Sequence, residues 1–246
     1  LYFRAFDEKF IEEIRSYAIN YFRKILSNLG WEPQKSDKHT DALLRTFTIS
    51  VLGKMNDDTV TDDAIRKYQK FLKSPSSLSP DLIETICSIA AWNGNSKTFA
   101  ELKKLYTNAK TMEEKLRFLG AMCGFQDKKL LVRTLNFSQT SEVRSQNMQL
   151  PIMKVAGNPY GEKVLWPWLK KNWKNINKKV GHGNPLFNRI VASIAGVADD
   201  SMEKEIKVFF KNNPTPGTER TQSQTLERIR INSKFLRTMR KEFKNG

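Results

Sequence analysis

Residues 158–173 read Asn158-Pro159-Tyr160-Gly161-Glu162-Lys163-Val164-Leu165-Trp166-Pro167-Trp168-Leu169-Lys170-Lys171-Asn172-Trp173. An Asn-Pro break followed by large apolar residues recurring among lysines at helical spacing marks the start of an amphipathic helix. Leu165 and Leu169, and Trp166, Leu169 and Trp173, fall on adjoining faces, so the tryptophans, Trp166 and Trp173 among them, read as packing residues rather than a ligand-stacking surface. Pro167 leaves two possibilities open. In a helix begun near Tyr160 it deletes an internal hydrogen bond and kinks the helix; in one begun near Trp166 it sits harmlessly in the first turn.

The same period extends through the rest of the chain. Ile65, Tyr68 and Leu72 stand at i, i+3, i+7, Phe99, Leu102 and Tyr106 repeat that spacing, and Ile206, Phe209 and Phe210 sit at i, i+3, i+4. Strand-like alternation is scarce. Gly and Pro fall between the periodic stretches, at Gly30, Gly53, Pro75, Pro80, Gly94, Gly124, Gly157 to Pro159, Gly181 to Pro185 and Pro214 to Gly217. Ser79-Pro80 places a cap before a proline at the first helical position. Thr111 to Glu114 and Asp200 to Glu203 have capping-box spacing. The pattern predicts an all-α protein of about ten to twelve antiparallel helices joined by short connections. Without a strict sequence repeat, a degenerate HEAT- or armadillo-like α-α superhelix of stacked helix pairs fits best. Ser74 to Ser77 is the one possible linker and is too short to separate two domains, so residues 1–246 read as a single domain.

Apolar residues make up 39% and charged residues 28% of the 246, a balance that excludes a disordered chain. No apolar run approaches the roughly 20 residues of a membrane span. Leu1 to Phe10 already carries Arg4, Asp7, Glu8 and Lys9, unlike a signal peptide. The chain opens on Leu1 rather than Met, as a piece of a longer chain would. Cys87 and Cys123 lie in separate apolar segments and read as buried reduced thiols, which suits a cytoplasmic protein; sequence alone leaves a disulfide open. The net charge of +16 favours anionic partners, but it is dispersed, with no five consecutive Lys/Arg.

A search for catalytic chemistry finds none. The two histidines, His39 and His182, are far apart and neither belongs to an H-E-x-x-H motif, so no metal site is expected. Phosphate-binding glycine loops and the G-x-S-x-G elbow are missing. Neither cysteine has an adjacent base. His182 reads as a surface loop residue. Asp57-Asp58, Asp62-Asp63 and Asp199-Asp200 read as acids complementing the dipoles of helix starts. Among the many basic residues, most lysines fit solvated helix faces. Arg189, following the Gly/Pro break at Asn184-Pro185, is the best candidate for a planar fork that binds a carboxylate. Arg220 opens the last basic helix and is a second candidate for contacting substrate.

At these positions the chain resembles the C-terminal helical domain of aminopeptidase N type zinc aminopeptidases, most nearly the puromycin-sensitive and archaeal tricorn-interacting enzymes. The matching features, in order, are Leu29-Gly30-Trp31, Leu43-Leu44-Arg45, Ser141 to Asn147, Asn158 to Gly161, Trp166 to Trp173, Arg189-Ile190, Val208-Phe209-Phe210 and Arg220 to Ile229. Asn147 stands where the family usually has Asp. The family's H-E-x-x-H…E and G-x-M-E-N motifs are missing because they belong to an upstream domain.

The resemblance implies a superhelical bowl that closes over a catalytic domain of the same polypeptide, encloses a peptide chamber and limits substrate entry. It implies no cofactor in this chain and zinc in the catalytic domain. It gives Arg189 a substrate-positioning role, and Arg144 and Gln146 a structural one, tying one helical layer to the next. The competing reading is a stand-alone basic solenoid that binds an acidic protein or nucleic acid; aromatics interleaved with basic residues on an exposed face, which nucleic acid would require, are not evident.

Overall fold

Helix starts are written into the side chains. In the computed structural model, which describes residues 8–181 and 184–242, twelve α-helices and several short 3-10 turns form and no strand occurs among the described residues. The expected all-α class is therefore present. Contacts divide the chain into two compact units, with the division in sequence between Gln126 and Asp127. The suspected linker at Pro75–Ser77 is instead a 3-10 turn inside the first unit.

The first unit holds α1 (Glu8–Leu29), α2 (His39–Lys54), α3 (Asp58–Lys73), α4 (Pro80–Trp92), α5 (Ser96–Asn108) and α6 (Met112–Ala121). Helices α2, α4 and α6 pack side by side, while α1 packs on α2, α3 on α2 and α4, and α5 on α4 and α6. This is the neighbour-on-neighbour packing of a helix-pair stack. Helix α4 sits innermost: Leu82, Ile86, Cys87, Ile89, Ala90 and Ala91 are all buried. Asp57 caps α3 by accepting from Val60 N at 2.8 Å, and its other oxygen pairs with Arg23 of α1. The Thr111–Glu114 capping box forms with both bonds in place. Asp62 and Asp63, expected at a helix start, lie inside α3, where Asp63 pairs with Arg66 three residues on.

The segment Leu29-Gly30-Trp31 and Arg45 form one clasp. Gly30 ends α1 with φ +65°, a left-handed conformation that favours glycine. Buried Arg45 of α2 donates to Gly30 O (3.1 Å), Leu29 O (2.9 Å) and Asp37 Oδ2 (2.7 Å). The guanidinium thereby satisfies the carbonyls freed at the end of α1 and fixes the α1–α2 connection.

The second unit holds α7 (Lys128–Ser138), α8 (Gln149–Ala156), α9 (Glu162–Val180), α10 (Pro185–Ser193), α11 (Glu203–Asn212) and α12 (Glu219–Glu242). Helix α9 packs on α7, α8 and α10, while α12 packs on α10 and α11. The Asn158–Gly161 break is a capped 3-10 turn: Asn158 Oδ1 accepts from Tyr160 N at 2.9 Å. A Cβ at Gly161 would stand 1.9 Å from Val155 O, so only glycine permits this approach of α9 to α8. Because α9 begins at Glu162, Pro167 falls inside it. Both Pro167 and Lys163, whose carbonyl loses its usual donor, are exposed, so water can serve that carbonyl.

The expected capping box at Asp200–Glu203 does not form. A 3-10 turn, Asp200–Met202, precedes α11, and Asp199 caps it by accepting from Ser201 N at 3.0 Å. Asp200 and Glu203 turn instead to Arg237 and Arg230 of α12. His182 lies outside the described residues.

The clasp predicts an acid sensitivity. The backbone N–H of Gln34 and then the Arg45 guanidinium hold the Asp37 carboxyl below its ordinary value. A carboxylate depressed in the folded state contributes stability above its unfolded pKa, and that contribution is lost as pH falls through the folded value. Asp37→Asn should therefore lower the melting temperature at pH 7 and flatten its decline below about pH 4. Thermal melts of both proteins across that range check it.

Candidate functional site

The aromatic residues of α9 organise the second unit. Trp173 meets Phe187 of α10 edge-on at 5.1 Å, and Phe209 and Phe210 of α11 at 5.2 and 5.9 Å between centroids. Trp166 meets Phe209 at 5.1 Å, and its Nε1 donates to Glu205 Oε1 at 3.3 Å. Lys170 pairs with the same carboxylate and lies over the Trp166 ring. Trp166 and Trp173 are both 2% exposed, a core position. Trp168 donates to Asn136 of α7 at 2.8 Å.

This core sets the direction of Arg189. Asn184 caps α10 by accepting from Leu186 N at 3.0 Å, with Pro185 at the first position. Phe187, Ile190 and Val191 face inward and are buried. Arg189, two residues from Phe187, therefore points outward and is exposed. Its Nη1 donates to Gln149 Oε1 of α8 at 3.5 Å, a long bond that leaves most of the fork accessible.

Arg220 belongs to the same end of the α10–α12 pair. Thr221 Oγ1 donates to Asn188 Oδ1 at 2.6 Å, which joins the chain neighbours of the two arginines. The start of α12 is held by a polar knot that sequence reasoning missed. Gln222 Nε2 donates to Thr215 Oγ1 (3.1 Å) and Thr218 Oγ1 (2.8 Å), and both threonines are buried. Arg220 itself is exposed.

Arg144 and Gln146 stand exposed at the short turn Ser145–Asn147. The polar ties between α7 and α9 come from other residues. Gln139 Nε2 donates to Asn172 Oδ1 at 2.8 Å, and Lys179 Nζ caps the end of α7 through Thr140 O at 2.8 Å. Burial pushes the Lys179 ammonium below its ordinary pKa.

Cys87 and Cys123 are buried free thiols, and burial pushes the Cys87 thiol well above its usual range. A thiol held protonated is a poor nucleophile. No three His, Cys, Asp or Glu side chains converge among the described residues, so these residues do not fit a zinc centre. No helix of the described residues is long and apolar enough to cross a membrane.

Fold and surface define an all-α class: stacked helix pairs whose described residues include exposed arginines at helix starts. The comparisons give the family. Residues 2–231 match the ERAP1-like C-terminal domain, and the chain belongs to that family. Similar proteins include Aminopeptidase M1-D of Oryza sativa subsp. japonica, 30% identical over 94% of this chain and 27% of the relative. Aminopeptidase M1 of Arabidopsis thaliana is 27% identical over 96% of this chain and 27% of its own length. Aminopeptidase 2, mitochondrial, of Saccharomyces cerevisiae is 26% identical over 92% and 24%. The chain thus spans about a quarter of the length of these relatives.

Because Trp173 fills the junction of three helices, Trp173→Ala should destabilise the protein by about 3–5 kcal/mol. Urea unfolding followed by circular dichroism would show this as a lower midpoint at unchanged slope.

Proposed function

We propose that this chain, residues 1–246, acts as the non-catalytic C-terminal domain of a zinc aminopeptidase. In this reading it caps the active site of a catalytic domain in the same polypeptide, contributes the wall of a peptide chamber, and controls which substrates enter. The observation that carries the reading is the family match across residues 2–231, combined with relatives whose names are aminopeptidases and which are about four times longer. Zinc belongs, in this reading, to the catalytic domain, and the whole protein works in the cytoplasm. Peptides are the substrates and neither nucleic acid nor membrane is a partner.

Two surface features support the reading. Tyr17, Tyr21, Leu43 and Phe47 leave large apolar groups exposed on α1 and α2, with Tyr21, Phe22 and Phe47 in edge contact. Such a face suits burial against another part of the polypeptide. Arg189 and Arg220 present exposed guanidiniums on rigid helices, which suits capture of a peptide carboxylate. Contacts of this kind, remote from the scissile bond, orient substrate rather than break it. Arg144 and Gln146 retain a supporting role in the loop that leads into α8.

The test compares the intact protein with Arg189→Ala on two substrates. KM for a peptide with a free C-terminus should rise about tenfold, the loss of one charge-assisted contact. Cleavage of a small aminoacyl-chromogenic substrate should stay unchanged, and residues 1–246 alone should cleave neither. Equal loss on both substrates, or cleavage by the isolated chain, overturns the reading.

A further inference from the structure

Helices α3 and α5 each pack on α4 without packing closely on one another, and a cavity of about 410 Å³ lies between them. Its apolar wall is the i, i+3, i+7 stripe of α3, Ile65, Tyr68 and Leu72. Lys97 and Glu101 line it from α5, and Lys73 from the last position of α3.

Tyr68 is 4% exposed, and its hydroxyl donates to Glu101 Oε2 at 3.2 Å. Burial first, and the neighbouring Glu101 carboxylate as well, push the Tyr68 phenol above its ordinary value, so it remains a donor. Glu101 is half-buried, and among the described residues Tyr68 is its partner. Lys97 lies one turn before Glu101, the less favourable order for an intrahelical ion pair. Glu101, Lys73 and Lys97 all line this cavity, and neither lysine forms an ion pair with Glu101 among the described residues.

That combination selects a ligand class. A simple anion would be opposed by Glu101, and a simple cation by Lys73 and Lys97. A zwitterion satisfies both, and an attached apolar group would cover Ile65 and Leu72. The volume suits a molecule of amino-acid or dipeptide size rather than a longer peptide. We propose that the cavity between α3 and α5 binds a free α-amino acid with an apolar side chain. Its ammonium pairs with Glu101, its carboxylate with Lys73 and Lys97, and its side chain lies on Ile65 and Leu72. The site stands on the cavity alone and does not depend on the function proposed above; where both hold, the domain binds the kind of product that an aminopeptidase releases.

The test titrates L-leucine into the intact protein carrying labelled Ile and Leu methyl groups. The Ile65 and Leu72 methyl resonances report this cavity separately from any catalytic site. Saturable shifts are expected with a dissociation constant on the order of millimolar, the affinity a ligand of this size reaches in an open groove. L-leucinamide, which lacks the carboxylate, and 4-methylpentanoate, which lacks the amine, should each bind about tenfold more weakly. Glu101→Gln should weaken leucine similarly, while its amide oxygen still accepts from Tyr68; Lys97→Met, at an exposed position, provides a second variant. The proposal is overturned if leucine leaves both methyls unmoved, if either half-ligand binds as well as leucine, or if both variants bind leucine normally.

Discussion

Trp173 must be enclosed on several sides at once, and the second unit is built around meeting that demand. An indole buries roughly 150–250 Å² of surface, worth about 4–6 kcal/mol at ~25 cal/mol per Å². Its Nε1 is buried without an acceptor among the described residues, which costs about 1–3 kcal/mol. Burial wins, so shape rather than hydrogen bonding holds the ring. Phe187 from α10 and Phe209 and Phe210 from α11 supply the enclosing edges. Polar ties then fix the angles: Trp168 to Asn136, Asn172 to Gln139, and Lys179 to the end of α7. Glu203 extends the order outward to α12. The Arg230 and Lys207 side chains hold its carboxyl at about 2, so the tie persists throughout the neutral range.

The helices were legible because each buries one stripe, and a 3.6-residue stripe survives in a single sequence. The Thr111–Glu114 cap was legible for a similar reason: both partners lie within one turn. What escaped reading depends on groups that every residue carries or on distance along the chain. Arg45 could be quoted as part of a family-like motif, but its partners are the backbone carbonyls of Leu29 and Gly30, which leave no side-chain signature. Asp199 and Asp200 are adjacent and chemically alike, and only the intervening 3-10 turn decides which one caps. Tyr68 was visible as a periodic core residue. Its bond to Glu101, 33 residues away, was not, and neither was the cavity beside it. Arg189 could be chosen from its position after the Asn184-Pro185 break, whereas its partner Gln149 lies 40 residues upstream.

The charge of the chain acquires a clearer meaning from these pairings. Forty-two Lys and Arg face twenty-six Asp and Glu, and many of the acids are committed internally. Asp37 is held by Arg45, Asp57 by Arg23, Glu203 by Lys207 and Arg230, and Glu205 by Lys170. Each of these pairs neutralises a base along with its acid, so the outward field follows from the excess of bases, a net charge of +16. Such a field draws carboxylates from solution but is screened beyond about 8 Å at physiological salt. Attraction alone therefore cannot decide how a peptide is oriented.

Orientation needs charges whose positions are fixed, and here the arginines differ from the lysines of α9. Lysines on a solvated face carry point charges on flexible stems and lose rotamer freedom when they bind. Arg189 projects from a helix whose inner face is locked by Phe187 against Trp173. Arg220 follows directly on a turn fastened by Gln222 and precedes the Thr221–Asn188 bond. Less entropy is lost on binding at such positions, so the same carboxylate contact is stronger and more directional than at a lysine. The aromatic core thus does more than stabilise the fold. By fixing α10 it determines where the exposed guanidinium of Arg189 stands, and the substrate positioning proposed for Arg189 rests on that placement.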